Sequence, residues 1–376
     1  RERSVDPLGT GAVAERIAGR LVPGFSGQTS RARYLSLLCA AVRRAEGSAR
    51  PFPMIHRIEA ELAVDEAIHH REEGFDVCPG IIGRQRASAE LTRLDGQRPS
   101  RPERLYKSTA FATYRPLLRS LGLLLRGRVP ALSSTGEALA RAYPLRGSKE
   151  RRCLSAITKS ECSQLYGPLG LDGRTSPAPG SAQALRRATY KHLLSNGADA
   201  ANTMLKGQAR VPQRESTVGQ LLHTAYAWET VSVGLLLGFA LLARKRRLSS
   251  AADALDAALA RRPTIWSFDR TVESAEFANE AVALLRESMR VKDALPLGCN
   301  QHLRIARLLV EERNPSAFLG RLLDQHRLAK GGDAWFRLSG DRVEVLATGK
   351  NLDFRPSPRS YRLDAYMQFL RDVKKL

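Results

Sequence analysis

The sequence has few cysteines and few aromatic residues for a chain of 376 residues. Five scattered cysteines do not form a disulfide framework in so long a chain, so the sequence predicts a protein of the reducing cytosol. The aromatic fraction is 6%, and the aromatic residues do not interleave with the basic ones. This composition argues against a stacking platform for single-stranded nucleic acid and favours contact with the backbone of a duplex.

Acidic residues are also scarce, since 38 Asp and Glu stand against 60 Lys and Arg, which gives a formal net charge of +22. Only 11 of the basic residues are lysine, and such an arginine bias is in part typical of a GC-rich genome. The excess of cations over acids does not follow from that bias. With a pI near 10.5, it predicts a surface for nucleic acid, with an acidic protein partner or a membrane surface as alternatives.

The chain has no long hydrophobic run. The best candidate is the segment VSVGLLLGFALLA at 231–243, whereas a membrane-spanning helix needs about 20 residues. Glu229 precedes this segment, and Arg244, Lys245, Arg246 and Arg247 follow it. A basic flank is typical of a stop-transfer segment, but it also suits the negative C-terminal end of a helix. We predict a buried helix, no membrane contact and no secretory signal.

Motifs that carry catalysis are missing as well. The sequence contains no GxxxxGK[ST] phosphate loop and no HExxH zinc motif, and neither Cys153 nor Cys162 has a CxxC partner. Glu66, His69, His70 and Glu73 fall within two helical turns. The sequence offers no second motif whose ligands could complete a metal site with these residues, and we interpret the segment as a helix surface. The sequence predicts no metal, no cofactor and no catalytic residue.

One nuclease-like arrangement is an alternative. Asp341 and Glu344 lie on a predicted hairpin, as do the carboxylates of metal-dependent nucleases. A nuclease of that kind has a lysine two residues after the glutamate, but here Lys350 is six residues after Glu344. We therefore interpret both carboxylates as polar residues of a hairpin.

Apolar residues at helical spacing predict a mainly α-helical multidomain protein. The predicted domains are an N-terminal helical domain at 1–98, a winged helix-turn-helix at 99–150, a helical domain at 151–330 and a C-terminal hairpin with a helix at 331–376. The first of these ends in a linker, since residues 97–103 are polar and rich in proline.

The later part of the chain shows further elements. Residues 167–180 contain so much Gly and Pro that the sequence predicts a loop. The remaining predicted elements are helices at 249–261, 273–290 and 302–312, a hairpin at 334–346 with a Gly-Asp turn, and a helix at 361–376.

The winged helix is the main functional prediction. A predicted helix at 109–118 is followed by Leu-Gly-Leu, by a short basic hairpin at 126–129 and by a second helix with a Ser/Thr cap. In such modules the helix ahead of the wing enters the major groove and the hairpin contacts the backbone. The predicted contacts are Lys107, Arg115 and Arg119 on or beside the helix, and Arg126 and Arg128 on the wing. Winged helices also serve as protein-binding modules, which is the alternative interpretation.

Two further basic clusters complete the predicted nucleic-acid surface. One holds Arg186, Arg187 and Lys191, and the other is the run Arg244, Lys245, Arg246 and Arg247. Any one such cluster is typical of a solvated helix face. Their number, without matching acids, indicates an extended basic surface.

The strings DPLG at 6–9, LVPGFSGQTSRARYL at 21–35 and GIIGR at 80–84 resemble a bacterial domain of unknown function from anti-phage defence gene clusters, of the Menshen-like group. Members share a DxLG start, a PG-S-x-x-T-RARY core and a G-[VI]-I-G-R turn. The resemblance covers about a quarter of the chain, and residues 35–39 depart from the aromatic run of the family. It implies one subunit of a multi-gene antiviral system whose effector and ATPase are separate proteins, and it transfers no catalytic residue.

Three arginines belong to these strings. Arg31, Arg33 and Arg84 either face a ligand or pair with acids such as Asp6 and Glu61, and we favour the pairing. Together, the sequence predicts a non-enzymatic, cytoplasmic subunit that binds duplex DNA and presents it to a partner nuclease or ATPase. A scaffold that binds an acidic protein is the alternative, and the oligomeric state is not given by the sequence.

Overall fold

The structure, a computed structural model, describes residues 10–73, 82–105, 109–143, 157–173, 176–196, 217–260, 312, 314–330, 334–346 and 360–373. The described part of the chain is mainly helical with one small antiparallel sheet, which confirms the mainly α-helical class and the C-terminal hairpin, while the winged helix stays a prediction. Several predictions fall outside these ranges: those for Lys107, Asp6, Cys153 and Lys350, for the helices at 273–290 and 302–312, and for the side chains of Arg84, His69 and His70.

In chain order the helices are α1 (Thr10–Leu21), α2 (Arg33–Arg44), α3 (Pro51–Glu73), α4 (Arg84–Arg93), a 3-10 turn (Pro102–Leu105), α5 (Ala110–Ser120), α6 (Ser134–Ala142), α7 (Lys159–Leu169), α8 (Ala182–Asn196), α9 (Thr217–Lys245), α10 (Leu248–Ala260), α11 (Pro315–Lys330) and α12 (Leu363–Asp372). The strands β1 (Phe336–Ser339) and β2 (Arg342–Val345) lie between α11 and α12. The chain divides into two compact units. We call residues 18–198 with 362–376 the first unit, and residues 1–17 with 199–361 the second unit.

Helix α2 forms the centre of the first unit. Every residue from 33 to 42 is buried, because apolar and small side chains cover all faces of the helix, and α3, α5 and α6 pack against it. Its two buried polar residues both contact one acid of α7: the Ser36 hydroxyl donates to Glu161, and the Arg33 guanidinium forms an ion pair of 3.7 Å with the same carboxylate.

Helix α12 returns from the end of the chain to complete the first unit. Asp372 forms a buried ion pair of 3.0 Å with Arg31 and accepts a bond from the backbone of Ala32. The ring of Phe25 packs edge-on against Phe369, with 5.1 Å between the ring centroids. The predicted C-terminal domain at 331–376 is therefore divided, since α12 belongs to the first unit and the hairpin to the second.

The second unit is built on α9, whose Trp228 and Phe239 are buried. Helices α10 and α11 and the β1–β2 hairpin pack with it. The strands pair from Phe336 opposite Val345 to the Gly-Asp turn, as predicted. The side chain of His326 on α11 is buried among aromatic rings. Its Nε2 accepts a 2.9 Å bond from the backbone of Trp335, which ties β1 to the helix.

The hydrophobic segment at 231–243 lies inside α9, with its described residues mostly buried, as predicted. Among the described helices, none has both the length and the apolar character needed to cross a membrane. The predicted loop at 167–180 begins later than expected, because α7 continues through Pro168 to Leu169 and ends where Gly170 adopts a left-handed conformation.

Candidate nucleic-acid interface

The basic hairpin, which we define as residues 123–133, joins α5 to α6. Leu124 and Leu132 form a single antiparallel bridge. Backbone bonds of 2.9 Å from Leu125 to Ala131 and of 3.1 Å from Ser133 to the carbonyl at 123 flank that bridge. Helix, hairpin and helix follow in the predicted order, but the pairing is limited to one bridge and is not a two-stranded sheet.

The beginning of α5 is fixed by a buried acid. The carboxylate of Glu59 on α3 accepts bonds from the backbone N–H groups of Ala110 and Phe111, at 2.8 and 2.7 Å. The hydroxyl of Thr109 accepts a third bond, from Ala112. An anion at a helix N-terminus is favourable, because the first N–H groups have no partner within the helix. Burial nevertheless raises the pKa of Glu59 to about 7, although the two backbone bonds act in the opposite direction.

The far end of α5 holds the tip of the basic hairpin. The carbonyl oxygen of Gly127 accepts a 2.9 Å bond from Arg119 and a 3.4 Å bond from Arg115. These two arginines are four residues apart, so they lie on the same face of the helix. The guanidinium of Arg115 also lies over the rings of Phe52 and Phe111, 5.8 and 5.9 Å from their centroids.

The structure thus brings together four of the predicted contacts, Arg115, Arg119, Arg126 and Arg128, which we call the hairpin patch. Arg115 is half-buried and the other three are exposed. A guanidinium carries five N–H donors, so the bonds to Gly127 leave Arg115 and Arg119 with donors for a further acceptor. The patch can therefore bind several phosphate oxygens at once.

The prediction for Arg186 is wrong. This side chain is only 1% exposed, and its guanidinium donates to the carbonyl oxygens of Pro23, Ser120 and Pro168 at 3.1 to 3.2 Å and to the Ser120 hydroxyl at 2.7 Å. It therefore supports the interior of the first unit and cannot reach a phosphate. Its neighbours differ, since Arg187 is half-buried and Lys191 is exposed.

The run Arg244 to Arg247 forms a second basic surface, in the second unit. All four side chains are exposed at the end of α9. The carbonyl of Arg246 accepts a 2.9 Å bond from the backbone of Val343, and Arg247 forms an antiparallel bridge with Arg342, which is also exposed. We call the run together with Arg342 the second-unit patch.

The nuclease-like residues have structural partners instead. The carboxylate of Asp341 accepts bonds of 2.8 Å from the backbone and from the hydroxyl of Ser249, and these bonds lower its pKa. Asp341 therefore caps the beginning of α10. Glu344 lies opposite Arg337, at 3.9 Å. No group of three or more His, Cys, Asp or Glu residues that could hold a metal occurs in the part of the chain that the structure describes.

Two arginines of the RARY string pair with acids, as we expected, but with different ones. Arg31 pairs with Asp372, and Arg33 lies near Glu161 and 5.5 Å from the centre of the Tyr143 ring. Glu61, an expected partner, instead pairs with a neighbour on α3. Both arginines are buried, and their acidic partners come from remote parts of the sequence, which local patterns do not reveal.

Comparison of the whole chain with protein-family models, with curated proteins and with solved structures finds no match.

Proposed function

We propose that the chain binds duplex DNA without catalysing a reaction and that the hairpin patch is its main contact. The observation that carries this proposal is the carbonyl of Gly127, which accepts bonds from both Arg115 and Arg119. These bonds hold the arginines of α5 beside Arg126 and Arg128, so that four cations belong to one surface. The phosphates of a duplex form the dense negative surface that such a group neutralises.

The order of the elements supports a winged-helix mode of binding. In that mode α5 lies in or along the major groove, and the basic hairpin contacts the backbone beside it. The buried carboxylate of Glu59 fixes one end of α5, and the bonds to Gly127 fix the hairpin against the other end. The patch is therefore arranged before it meets DNA, which reduces the entropy lost on binding.

The resemblance to defence-cluster proteins supports a biological setting for this activity. In our proposal the chain is a cytoplasmic subunit of an anti-phage complex, and it presents bound DNA to a partner nuclease or ATPase. The bonds of Asp341 to Ser249 favour this division of labour over a nuclease within the chain, because they use the carboxylate as a helix cap.

A titration of the purified chain against a fluorescent duplex tests the proposal. The double variant Arg126→Glu and Arg128→Glu should lose more than about tenfold in affinity, because two phosphate contacts become repulsive. The matched control is Arg101→Glu with Lys159→Glu, which makes the same change in charge at two other exposed positions of the first unit. The control variant should bind nearly as the unchanged chain does.

Equal losses in the two variants would show that only net charge matters, which would contradict the assignment to the hairpin patch. Absence of duplex binding by the unchanged chain would contradict the proposed function. The alternative would then be a scaffold that binds an acidic protein through the same arginines.

A further inference from the structure

Exposed apolar side chains lie beside the arginines of the hairpin patch. Leu125 and Val129, on either side of the Arg-Gly-Arg tip, are 53% and 63% exposed. Only four large hydrophobic side chains are exposed among the described residues of the first unit: Phe52, Leu125, Val129 and Leu194. Three of them adjoin the patch, since the Phe52 ring lies against Arg115. Exposed apolar groups are thus concentrated where the cations are.

The backbone that carries these apolar side chains is held by hydrogen bonds. The bridge between Leu124 and Leu132 closes the base of the hairpin, and the carbonyl of Gly127 at its tip accepts bonds from Arg115 and Arg119 of α5. Their backbone is therefore held by the fold while the side chains project into water. Exposing Leu and Val in this way is unfavourable in the free protein, and a partner that covers them recovers that free energy.

We propose that Leu125 and Val129 form an apolar wedge that enters the minor groove of duplex DNA and partly unstacks a base step. This inference rests on the proposed function. The minor groove is about 6 Å wide, which admits the narrow tip of a hairpin but not a helix. Arg126 and Arg128 then lie on the flanking phosphates, as in proteins that kink DNA with apolar side chains. The preferred site contains a flexible pyrimidine–purine step, because such steps unstack most easily.

The test follows the shape of the DNA and the affinity separately. The duplex carries 2-aminopurine beside a central TA step, and the fluorescence of 2-aminopurine rises when the step unstacks. A donor–acceptor pair of dyes at the two ends of the duplex reports bending. Binding of the unchanged chain should raise the 2-aminopurine signal and shorten the end-to-end distance, as expected for a kink of about 20–90°.

The decisive variant is Leu125→Ser with Val129→Ser, whose changes are at exposed positions. It should still bind the duplex with the same dependence on salt, because the four arginines are intact, but the unstacking and bending signals should disappear. Leu194→Ser is the matched control, since Leu194 is also exposed in the first unit, and it should leave both signals unchanged.

Two results would overturn the wedge and leave the proposed function standing. One is binding of the unchanged chain without any unstacking or bending signal, and the other is equal signals from the double serine variant and the unchanged chain. Absence of duplex binding at low salt would overturn both. Capture of an acidic protein by the same tip, abolished in the double serine variant, would then identify the alternative partner.

Discussion

Arg186 places a positive charge inside the first unit and bonds it to backbone carbonyls and one hydroxyl. Two of these carbonyls belong to Ser120 and Pro168, at the ends of α5 and α7, and the third belongs to Pro23, just beyond the end of α1. The ends of helices carry unpaired carbonyls and partial negative charge, so one guanidinium serves three helix termini. Burial lowers the pKa of Arg186 to about 10, and a side chain with this pKa is still charged at neutral pH.

Replacing Arg186 should therefore destabilise the first unit. In Arg186→Met a side chain of comparable length remains, but three carbonyls each lose the bond from the guanidinium, and we expect a loss of about 3 kcal/mol or more in the free energy of unfolding. Denaturant unfolding measures this loss. The control is Lys191→Met on the same helix, an exposed change that should cost less than about 0.5 kcal/mol. Equal stabilities of the two variants would contradict the assigned role.

Glu59 gives the first unit a dependence on pH. Burial raises its pKa to about 7 in the folded chain, compared with about 4.3 in an unfolded chain. Between about pH 4.3 and pH 7 the carboxyl of Glu59 is ionised in the unfolded chain but still protonated in the folded chain. The free energy of unfolding is therefore highest below about pH 4.3 and falls as the pH rises towards 7. The expected decrease is of the order of 3 kcal/mol.

Glu59→Gln removes this contribution, because an amide does not titrate. Unfolding free energies at pH 5 and pH 8 should differ less in the variant than in the unchanged chain, by the amount assigned to Glu59. Parallel pH profiles for the two proteins would show that the carboxyl titrates normally in the fold.

The joint between the basic hairpin and α6 depends on one glycine. A Cβ added to Gly136 would lie 2.1 Å from the carbonyl oxygen of Leu123, so the first turn of α6 touches the backbone of the hairpin. The hydroxyl of Ser133 accepts a 3.1 Å bond from Gly136 and caps the same turn. This close approach fixes where the hairpin ends and α6 begins.

Gly136→Ala should force the two backbones apart and lower the free energy of unfolding by about 1–3 kcal/mol. Gly320→Ala is the control in α11, where nothing lies near an added Cβ, and there alanine should stabilise the helix by about 0.5–1 kcal/mol. Opposite signs of the two changes are expected in thermal or denaturant unfolding. A neutral Gly136→Ala variant would mean that α6 does not pack against the hairpin.

Local patterns predicted most of these elements but not their ends. The alternation of apolar and polar residues around a Gly-Asp turn was sufficient for the hairpin of β1 and β2, because such turns form locally. The rule that Gly and Pro end a helix failed at residues 167–169, since proline is tolerated there in the last turn of α7. The helix ends at Gly170, because glycine readily adopts the left-handed conformation that terminates a helix.

The site was predictable to a similar extent. The four-residue spacing of Arg115 and Arg119 places them on one face, but their shared bond to Gly127 depends on the shape of the hairpin. The burial of Arg186 had a signal in the sequence, because it aligns at helical spacing with Leu193, which is buried. The capping of α10 by Asp341 had none, since its partner Ser249 lies 92 residues away.

At the scale of the whole molecule, basic surfaces occur in both units. The first unit carries the hairpin patch, and the second unit carries the second-unit patch, where Arg342 adjoins the run at 244–247. The excess of cations in the sequence is therefore partly organised into groups that the fold supports. A protein with several such groups should bind a polyanion through many weak ionic contacts, and its affinity should then fall steeply with salt.

The most direct test of this account is the affinity of the full chain for a duplex as a function of salt concentration. In a plot of the logarithm of the affinity against the logarithm of the salt concentration, each phosphate that the protein neutralises contributes about 0.9 to the slope. We expect a loss of about a thousandfold between about 50 and 200 mM salt, and a slope shallower by about 2 in Arg126→Glu with Arg128→Glu. No binding, or the same slope in that variant and in the unchanged chain, would contradict a duplex-binding function of the hairpin patch.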